Sequence, residues 1–234
     1  MATSLGQNAY FAFSNSTTRH FVKLTTGKLV VFIVNTSNSN KDVTYKTSSD
    51  NGETWDAAWT TAFAFSDTNK GPTNFGIYHD SSNNNLYIVW RSGWDGKIYF
   101  IKGTYDSGSW NWGSAVAIIT AYSATSSAIC RRANGDLWVV AHNQLGTLYS
   151  AYSTDDGANW NTNSNKSASE IRDNLVLLSV GDDVWAFGGR YGSVVNVYKW
   201  TTAWDSGTTI SSSIAASSNY YLESSFGVEK ISFM

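Results

Sequence analysis

The sequence is poor in cysteine and in charge. Its single cysteine, Cys130, excludes an intrachain disulfide. The apolar neighbours Ala128 and Ile129 predict that Cys130 is a small buried strand residue rather than a reactive thiol, which would need a base and an open site. Only 15% of the residues are charged, and the formal net charge is −2. A chain of this kind has no electrostatic surface for nucleic acid, so no nucleic-acid partner is expected.

Long apolar runs are also missing. No stretch approaches the ~20 residues that a membrane span requires, so no membrane insertion is expected. Residues 1–5 contain neither a basic nor an apolar region of the kind that begins a secretory signal. The three histidines, His20, His79 and His142, fall in different parts of the chain with no ligand spacing, and no glycine-rich phosphate loop is present. We therefore expect no metal and no cofactor.

Aromatic and small polar residues are abundant instead. The chain of 234 residues contains 11 Trp and 13 Tyr, together with many Ser, Thr, Asn and Gly. Aromatic and β-branched side chains fill a half-buried sheet surface well, and no apolar run has the 3.6-residue period of a helix. The composition predicts an all-β protein of one domain.

A short apolar strand that follows a tight turn occurs four times. These strands begin at residues 29, 86, 137 and 184, which are 57, 51 and 47 residues apart. A second strand follows each of them after a polar loop, at 43–46, 98–101, 148–152 and 194–198. A fixed order of elements at a period of about fifty residues is the signature of a repeat architecture.

An Asp-x-Gly turn follows the second strand in every copy. The turns begin 18 to 21 residues after the first strand. A short carboxylate accepts hydrogen bonds from nearby backbone N–H groups, and glycine supplies the positive φ that such a turn needs. The residues predicted to shape the turns are Asp50 and Gly52, Asp106 and Gly108, Asp155 and Gly157, and Asp205 and Gly207.

Two of these turns carry a longer motif. Residues 48–55 and 153–160 resemble Asp boxes, Ser-x-Asp-x-Gly-x-Thr-Trp, and they end in Trp55 and Trp160. The other two are degenerate, since Trp112 is displaced by one residue and Ile210 stands where Trp is expected. On these motifs, residues 19–210 resemble the sialidase-like (BNR-repeat) β-propellers. The resemblance implies four-stranded antiparallel blades around a central axis, with Trp55, Trp138, Trp160 and Trp185 in the core.

The repeats divide the single domain into blades at about 19–66, 67–122, 123–166 and 167–213. Apolar segments in 1–18 and 214–234 predict one further blade that the two termini close, giving five blades. The alternative is an incomplete six-bladed ring, whose exposed sheet edges would need a partner or self-association to cover them.

The strand order places candidate ligand-binding residues on one face of the propeller. With the strands of a blade named a to d outward, the Asp-x-Gly turns join c to d, and the b–c loops and the starts of strands a lie on the opposite, top face. Four of the six arginines fall there. The candidate ligand-binding residues on this face are Arg19, Arg91, Trp94, Asp95, His142, Arg172, Arg190 and Tyr191.

Sialidases hold a substrate carboxylate with three arginines, and the resemblance offers Tyr191 with Glu170 as a nucleophile pair and Asp95 or Asp173 as an acid. The Arg-Ile-Pro signature of that family is absent, however, because His20 and Phe21 follow Arg19. The favoured function is therefore a non-enzymatic glycan-binding or virion or cell-surface structural module, for instance a phage decoration or fibre protein. The alternative is a sialidase-like glycoside hydrolase that acts on an anionic sugar. We expect a virion or extracellular location, with a cytoplasmic one left open.

Overall fold

A computed structural model describes eleven parts of the chain. They cover residues 21–35, 42–64, 72–93, 95–120, 124–143, 145–168, 171, 175–190, 194–211, 222–225 and 230–233. Every regular element in these parts is a β-strand.

The strands form four antiparallel sheets of four or five strands and a two-stranded hairpin. We call the four sheets blades 1 to 4. Blade 1 contains β1 (Phe21–Lys23), β2 (Leu29–Val34), β3 (Val43–Ser48) and β4 (Thr60–Phe63). Blade 2 contains β5 (Pro72–Asp80), β6 (Asn85–Ser92), β7 (Ile98–Asp106), β8 (Ser109–Trp112) and β9 (Val116–Ile119). Blade 3 contains β10 (Ala124–Arg131), β11 (Leu137–Asn143), β12 (Thr147–Ser153), β13 (Asn161–Thr162) and β14 (Lys166–Ser167). Blade 4 contains β15 (Leu175–Val180), β16 (Asp183–Arg190), β17 (Val194–Trp200) and β18 (Thr208–Ser211). The hairpin is β19 (Leu222–Ser225) and β20 (Lys230–Phe233).

Each blade follows one plan, in which consecutive strands are neighbours. The strands predicted from the repeat, β2, β6, β11 and β16, are the second strands of their blades and pair on both sides. Blades 2 and 3 carry a split outer strand, because β8 and β9 both pair with β7, and β13 and β14 both pair with β12. The expected all-β architecture of four-stranded antiparallel blades is confirmed.

The core consists of layers between successive blades. Side chains alternate between the two faces of a strand, and β6 shows the consequence: Leu86 and Ile88 pack toward blade 1, whereas Tyr87 and Val89 pack toward blade 3. A third layer joins blades 3 and 4 around Trp138. Each blade therefore depends on its neighbours to bury both of its faces.

The two end blades are covered as well. Val31 and Ile33 lie on the side of blade 1 that faces away from blade 2, and they are 0% and 4% exposed. On the far side of blade 4, Val195 is fully buried and packs with Val176 and other apolar residues. The hairpin strand β19 contacts the innermost strand of that blade, β15. The central apolar side chains on both outer faces, Val31 and Ile33 in blade 1 and Val195 in blade 4, are thus buried within one chain.

The sequence predicted a further blade, a buried Cys130 and four tryptophans in the core. The proposed contribution of residues 1–18 to a further blade lies outside the described residues, so the number of blades in the ring stays a prediction. Cys130 is fully buried, as predicted. Among the four tryptophans expected in the core, Trp138 is buried, but Trp55, Trp160 and Trp185 are half-buried. Trp55 and Trp160 follow the exposed turns at the end of a blade, so solvent reaches one side of their rings.

Candidate functional site

The top edge of the blades contains the b–c loops and the starts of the innermost strands. Pro72 at the start of β5 pairs with Ser92 at the end of β6, and Ala124 at the start of β10 pairs with Asn143 at the end of β11. These pairings bring the two segments of each blade to the same end of the sheet. The Asp-x-Gly turns lie at the opposite end, where Leu29 pairs with Ser48.

The structure describes only part of the predicted ligand-binding set. Arg19, Trp94, Arg172 and Tyr191 lie outside the described residues, as do Glu170 and Asp173 of the sialidase-type alternative. Arg190 ends β16, where its backbone pairs with Val194. Arg91, Asp95 and His142 are described in full. The predicted set as a whole therefore stays a prediction, and three of its members have a known environment.

Asp95 holds the loop between β6 and β7 in place. Its carboxylate accepts a hydrogen bond of 2.9 Å from the hydroxyl of Tyr99 and one of 3.2 Å from the backbone N–H of Lys97. The Lys97 ammonium lies 3.3 Å from the same carboxylate. Partial burial on its own would raise the pKa of Asp95, but these hydrogen bonds, together with one from Ser92, outweigh it and lower the pKa below its ordinary value. Asp95 is therefore a carboxylate at neutral pH.

Arg91 and His142 occupy equivalent positions in neighbouring blades. Each lies five residues after the first apolar residue of its repeated strand, Leu86 or Leu137. The backbone of Arg91 pairs with Ile98, and that of His142 pairs with Leu148. His142 is fully buried, and the hydroxyl of Thr125 lies 3.0 Å from its Nδ1 atom. The ring of His142 is thus inside the protein rather than on the ligand-accessible surface that the sequence predicted for it. Arg91 is half-buried.

A tyrosine clamp on the b–c loops was not anticipated from the sequence. Tyr99 and Tyr149 directly follow Ile98 and Leu148, so they are equivalent residues of two blades. Tyr99 donates to Asp95, and the hydroxyl of Tyr149 accepts a hydrogen bond of 3.0 Å from the side-chain amide of Asn143. An alignment of the repeats places the two tyrosines at the same position. Their hydrogen-bond partners, Asp95 and Asn143, lie at different positions of the b–c loop, so the alignment does not identify them.

The second clamp orders its loop in the same way. The amide oxygen of Asn143 accepts hydrogen bonds from the N–H groups of Leu145 and Thr147, at 3.1 and 2.9 Å. Leu145 is 80% exposed, the largest value among the exposed large apolar residues that the structure describes. The described residues of the two clamped loops are therefore held in place, and Leu145 is exposed at the top edge.

The Asp50 turn at the opposite edge is pinned by its carboxylate. Asp50 accepts hydrogen bonds from the hydroxyl of Ser48 at 2.7 Å and from the N–H of Thr54 at 2.8 Å, and the hydroxyl of Thr54 also donates to it. Gly52 has a φ of 91° and donates its N–H to the Ser48 hydroxyl at 2.8 Å. Hydrogen bonds from Thr54 and Ser48 lower the pKa of Asp50 to about 2.

The Asp155 turn repeats this geometry. Asp155 accepts hydrogen bonds from the N–H and the side-chain amide of Asn159, at 2.8 and 2.7 Å, and from Ser153 at 2.8 Å. The hydrogen bonds from Asn159 and Ser153 lower its pKa to about 2. The indole N–H of Trp160 donates to the carbonyl of Gly157 at 3.1 Å, which fastens the tryptophan to the turn.

The two degenerate turns differ from these and from each other. Asp106 pairs with Ser109 across a tight two-residue turn, in which Ser107 and Gly108 both have positive φ. Its carboxylate accepts a hydrogen bond only from the Ser107 hydroxyl, at 3.2 Å, within the described part of the chain. Asp205 instead accepts from the N–H groups of Lys199 and Gly207. The backbone, rather than the carboxylate, closes the Asp106 turn.

No cluster of three or more His, Cys, Asp or Glu side chains with metal-binding geometry occurs among the described residues. They also contain no helix that is both long and apolar enough to cross a membrane.

Solved structures identify the fold of this chain. A mutant of the Aleuria aurantia lectin in complex with Fucα1-6GlcNAc matches with a TM-score of 0.55 at 13% identity, over 91% of this chain and 68% of the lectin. A second structure of that fungal lectin, described as a six-bladed β-propeller with a novel mode of fucose recognition, matches with a TM-score of 0.52 at 16% identity, over 81% and 58%. Trypanosoma rangeli sialidase with the inhibitor DANA matches with a TM-score of 0.53 at 17% identity, over 81% and 37%.

These matches define the chain as a β-propeller with a sialidase-like fold. At 13–17% identity they show the fold alone. The chain spans about 58–68% of the lectin chains and 37% of the sialidase chain. No model of a known protein family matches the sequence, and no curated protein matches it.

Proposed function

We propose that this propeller is a non-enzymatic glycan-binding module that uses the b–c loops of its top edge. The observation that carries the proposal is the environment of Asp95. Its carboxylate is occupied by Tyr99 of β7 and Lys97 of its own loop, so it fixes residues 95–97 of the b–c loop. A loop that is ordered before binding loses less conformational entropy when a ligand arrives.

The same environment argues against acid catalysis by Asp95. A glycosidase acid must be protonated near neutral pH, which requires a raised pKa. Hydrogen bonds lower the pKa of Asp95 instead. Among the residues proposed for a sialidase-type acid, Asp95 is the one that the structure describes, and it is suited to holding a loop.

The structural neighbours support a carbohydrate partner. The lectin structures are described as complexes with Fucα1-6GlcNAc and with α-methyl-L-fucoside, and they share the propeller fold with this chain. The low charge and the many Ser, Thr and Asn residues support display on a virion or extracellular surface, as in a phage decoration or fibre protein. We extend the glycan-binding proposal to that setting.

We also propose that the Asp50 and Asp155 turns are Asp boxes. Their shared pattern of hydrogen bonds from Ser48 and Thr54, and from Ser153 and Asn159, supports this assignment. In this role the turns stabilise the lower edge of blades 1 and 3 and leave the upper edge for ligands.

The second candidate function is a sialidase-like hydrolase that acts on an anionic sugar. The structural match to Trypanosoma rangeli sialidase favours it. Arg91 and Arg190 lie at the top ends of the second strands of blades 2 and 4, and guanidinium groups can bind a carboxylate in a bidentate manner. This function requires an acid and a nucleophile from residues other than Asp95.

A glycan array with the purified chain tests the first proposal. We expect binding by the unmodified protein and a loss of about tenfold or more in the Asp95→Ala variant, because the b–c loop of blade 2 is then no longer held. Asp106→Ala is the matched control, since Asp106 lies at the opposite edge, and it should bind normally. An array without signal at high protein concentration contradicts the proposal.

Hydrolysis of a fluorogenic sialoside separates the two candidate functions. We expect no turnover over several days. Turnover that disappears in the Arg190→Ala variant would replace the binding-module proposal with the hydrolase.

A further inference from the structure

One residue near the top of the third strand is equivalent in all four blades. These residues are Thr44, Tyr99, Tyr149 and Asn196, and each pairs with the residue four positions after the first apolar residue of its repeated strand. The backbone therefore places the four residues alike, just below the b–c loops. Their side chains differ, so the blades differ in what they offer to the loop above.

Blades 2 and 3 carry a tyrosine at this position, and each tyrosine holds a loop. The hydroxyl of Tyr99 donates to the carboxylate of Asp95 at 2.9 Å, and the hydroxyl of Tyr149 accepts a hydrogen bond of 3.0 Å from the side-chain amide of Asn143. We call these two pairs the tyrosine clamps. Because the phenol ring is long, its hydroxyl reaches from the strand to the loop and links the two.

Blades 1 and 4 carry shorter side chains at the same position. Thr44 and Asn196 are only 3% and 4% exposed. The hydroxyl of Thr44 and the amide oxygen of Asn196 are buried, and neither atom has a hydrogen-bond partner within the described structure. Because neither atom forms a hydrogen bond, these two positions do not fasten a loop.

A second feature divides the blades in the same way. Blades 2 and 3 have a split outer strand, whereas blades 1 and 4 have a single one among the described strands. The two clamped blades are also neighbours. Tyr149 packs into the layer between blades 2 and 3, so its clamp stands on the side of blade 3 that faces blade 2.

We propose that the chain has one glycan site, formed jointly by the clamped loops of blades 2 and 3, with Tyr99 and Tyr149 as its positioning residues. The inference rests on the glycan-binding function proposed above and adds the valency and the location of the site. Loops that are held before binding lose less conformational entropy when a ligand arrives. Blades 1 and 4 have no clamp at the equivalent position, so they contribute no second site of this kind.

Native mass spectrometry counts the sugars that one chain binds, and a reference protein in the same solution corrects for nonspecific adducts. The probes are L-fucose, D-galactose, N-acetyl-D-glucosamine and N-acetylneuraminate, which together present hydroxyl, acetamido and carboxylate groups. We expect one specifically bound sugar per chain with at least one probe, and no second sugar at saturation. Two or more equivalent sites would overturn the inference and leave the glycan-binding function standing. Binding of none of the probes would contradict that function, and the inference would fall with it.

Removal of single hydroxyl groups tests the tyrosine clamps. Tyr99→Phe and Tyr149→Phe should each weaken binding about fivefold, the usual effect of one lost hydrogen bond, while the count stays at one sugar per chain. Thr44→Val is the matched control. It removes a hydroxyl from the equivalent position of blade 1, where that group has no partner within the described structure, and it should leave the affinity unchanged.

The affinity separates a positioning role from a merely structural one. A variant that is partly unfolded binds with the original affinity in a smaller fraction of its molecules, whereas a loosened loop lowers the affinity of every folded molecule. Thermal melting in the same buffer establishes that each variant is folded. The joint site is refuted if both Phe variants bind as the unmodified protein does, if only one of them is weakened, or if Thr44→Val weakens binding as much.

Discussion

The hydroxyl of Tyr87 in blade 2 donates a hydrogen bond of 2.6 Å to the carboxylate of Asp156 in the turn of blade 3. Asp156 has a φ of 61°, and this backbone conformation lets its side chain reach the neighbouring blade. Lys102 donates to the other carboxylate oxygen at 2.5 Å, and Arg131 lies 3.3 Å from the first. One turn residue thus connects three groups, two of them on a different blade.

The Tyr87→Phe substitution tests this connection. The Tyr87 side chain is fully buried, so removing its hydroxyl leaves acceptor and donor groups of Asp156 and Arg131 without that partner. We expect the free energy of unfolding to fall by about 1–2 kcal/mol, measured by urea denaturation. Tyr152→Phe is the control, because Tyr152 stacks on Trp138 at 5.4 Å through its ring. Equal losses in the two variants would contradict a specific role of the Tyr87 hydroxyl.

The carboxylates of the turns are expected to contribute unequally to stability. Asp50→Ala and Asp155→Ala each remove an acceptor of three or more hydrogen bonds, and the melting temperature should fall by a few degrees in both. Asp106→Ala should melt nearly as the unmodified protein does, because backbone pairing closes that turn. Calorimetry of the three variants measures the difference. A fall as large in Asp106→Ala would show that the hydrogen-bond pattern does not determine the effect.

The same carboxylates predict a pH dependence. The pKa values of Asp50 and Asp155 are about 2 in the folded protein, compared with about 3.9 in an unfolded chain. Between these values the unfolded state binds more protons, so stability rises with pH there. The contribution is present above about pH 4 and is lost as the pH falls toward 2. We expect a variant with Asn at both positions to show a shallower fall of melting temperature between pH 4 and pH 2. An unchanged slope would contradict the lowered pKa values.

Alanine substitutions at two glycines with the same φ distinguish the free-energy cost of backbone strain from the cost of overpacking. Gly108 and Gly157 both have a φ of 92°. A Cβ atom at position 108 meets nothing within 4 Å, whereas one at position 157 would lie 2.5 Å from the ring of Phe100 in the neighbouring blade. Gly108→Ala should cost about 1–2 kcal/mol for its backbone conformation. Gly157→Ala should cost about 1–3 kcal/mol more for overpacking. Equal costs by urea denaturation would show that Phe100 moves away without penalty.

Cys130 provides a probe of unfolding. It is fully buried, and burial raises the pKa of its thiol. We expect no reaction with a thiol reagent at pH 8 in native buffer and complete reaction in urea. Fast reaction of the native protein would indicate that blades 3 and 4 separate readily, because Cys130 packs between them.

The repeated strands were predictable because their signals are local. The apolar runs that begin at residues 29, 86, 137 and 184 became the second strands of four blades. The turn glycines have the positive φ that the Asp-x-Gly pattern indicates. The top edge was harder to predict. His142 was expected at the surface, but it is buried next to Thr125, since alternation along β11 directs it between blades.

By itself, the sequence determined the all-β class, the period of about fifty residues and the positions of the turns, because strand alternation and turn chemistry depend on residues close together in the chain. Only the tertiary structure decided which blade faces touch and what fills the space between them. Arg131 reaches Asp80 and Tyr87 across 51 and 44 residues of sequence, and no local pattern specifies such partners.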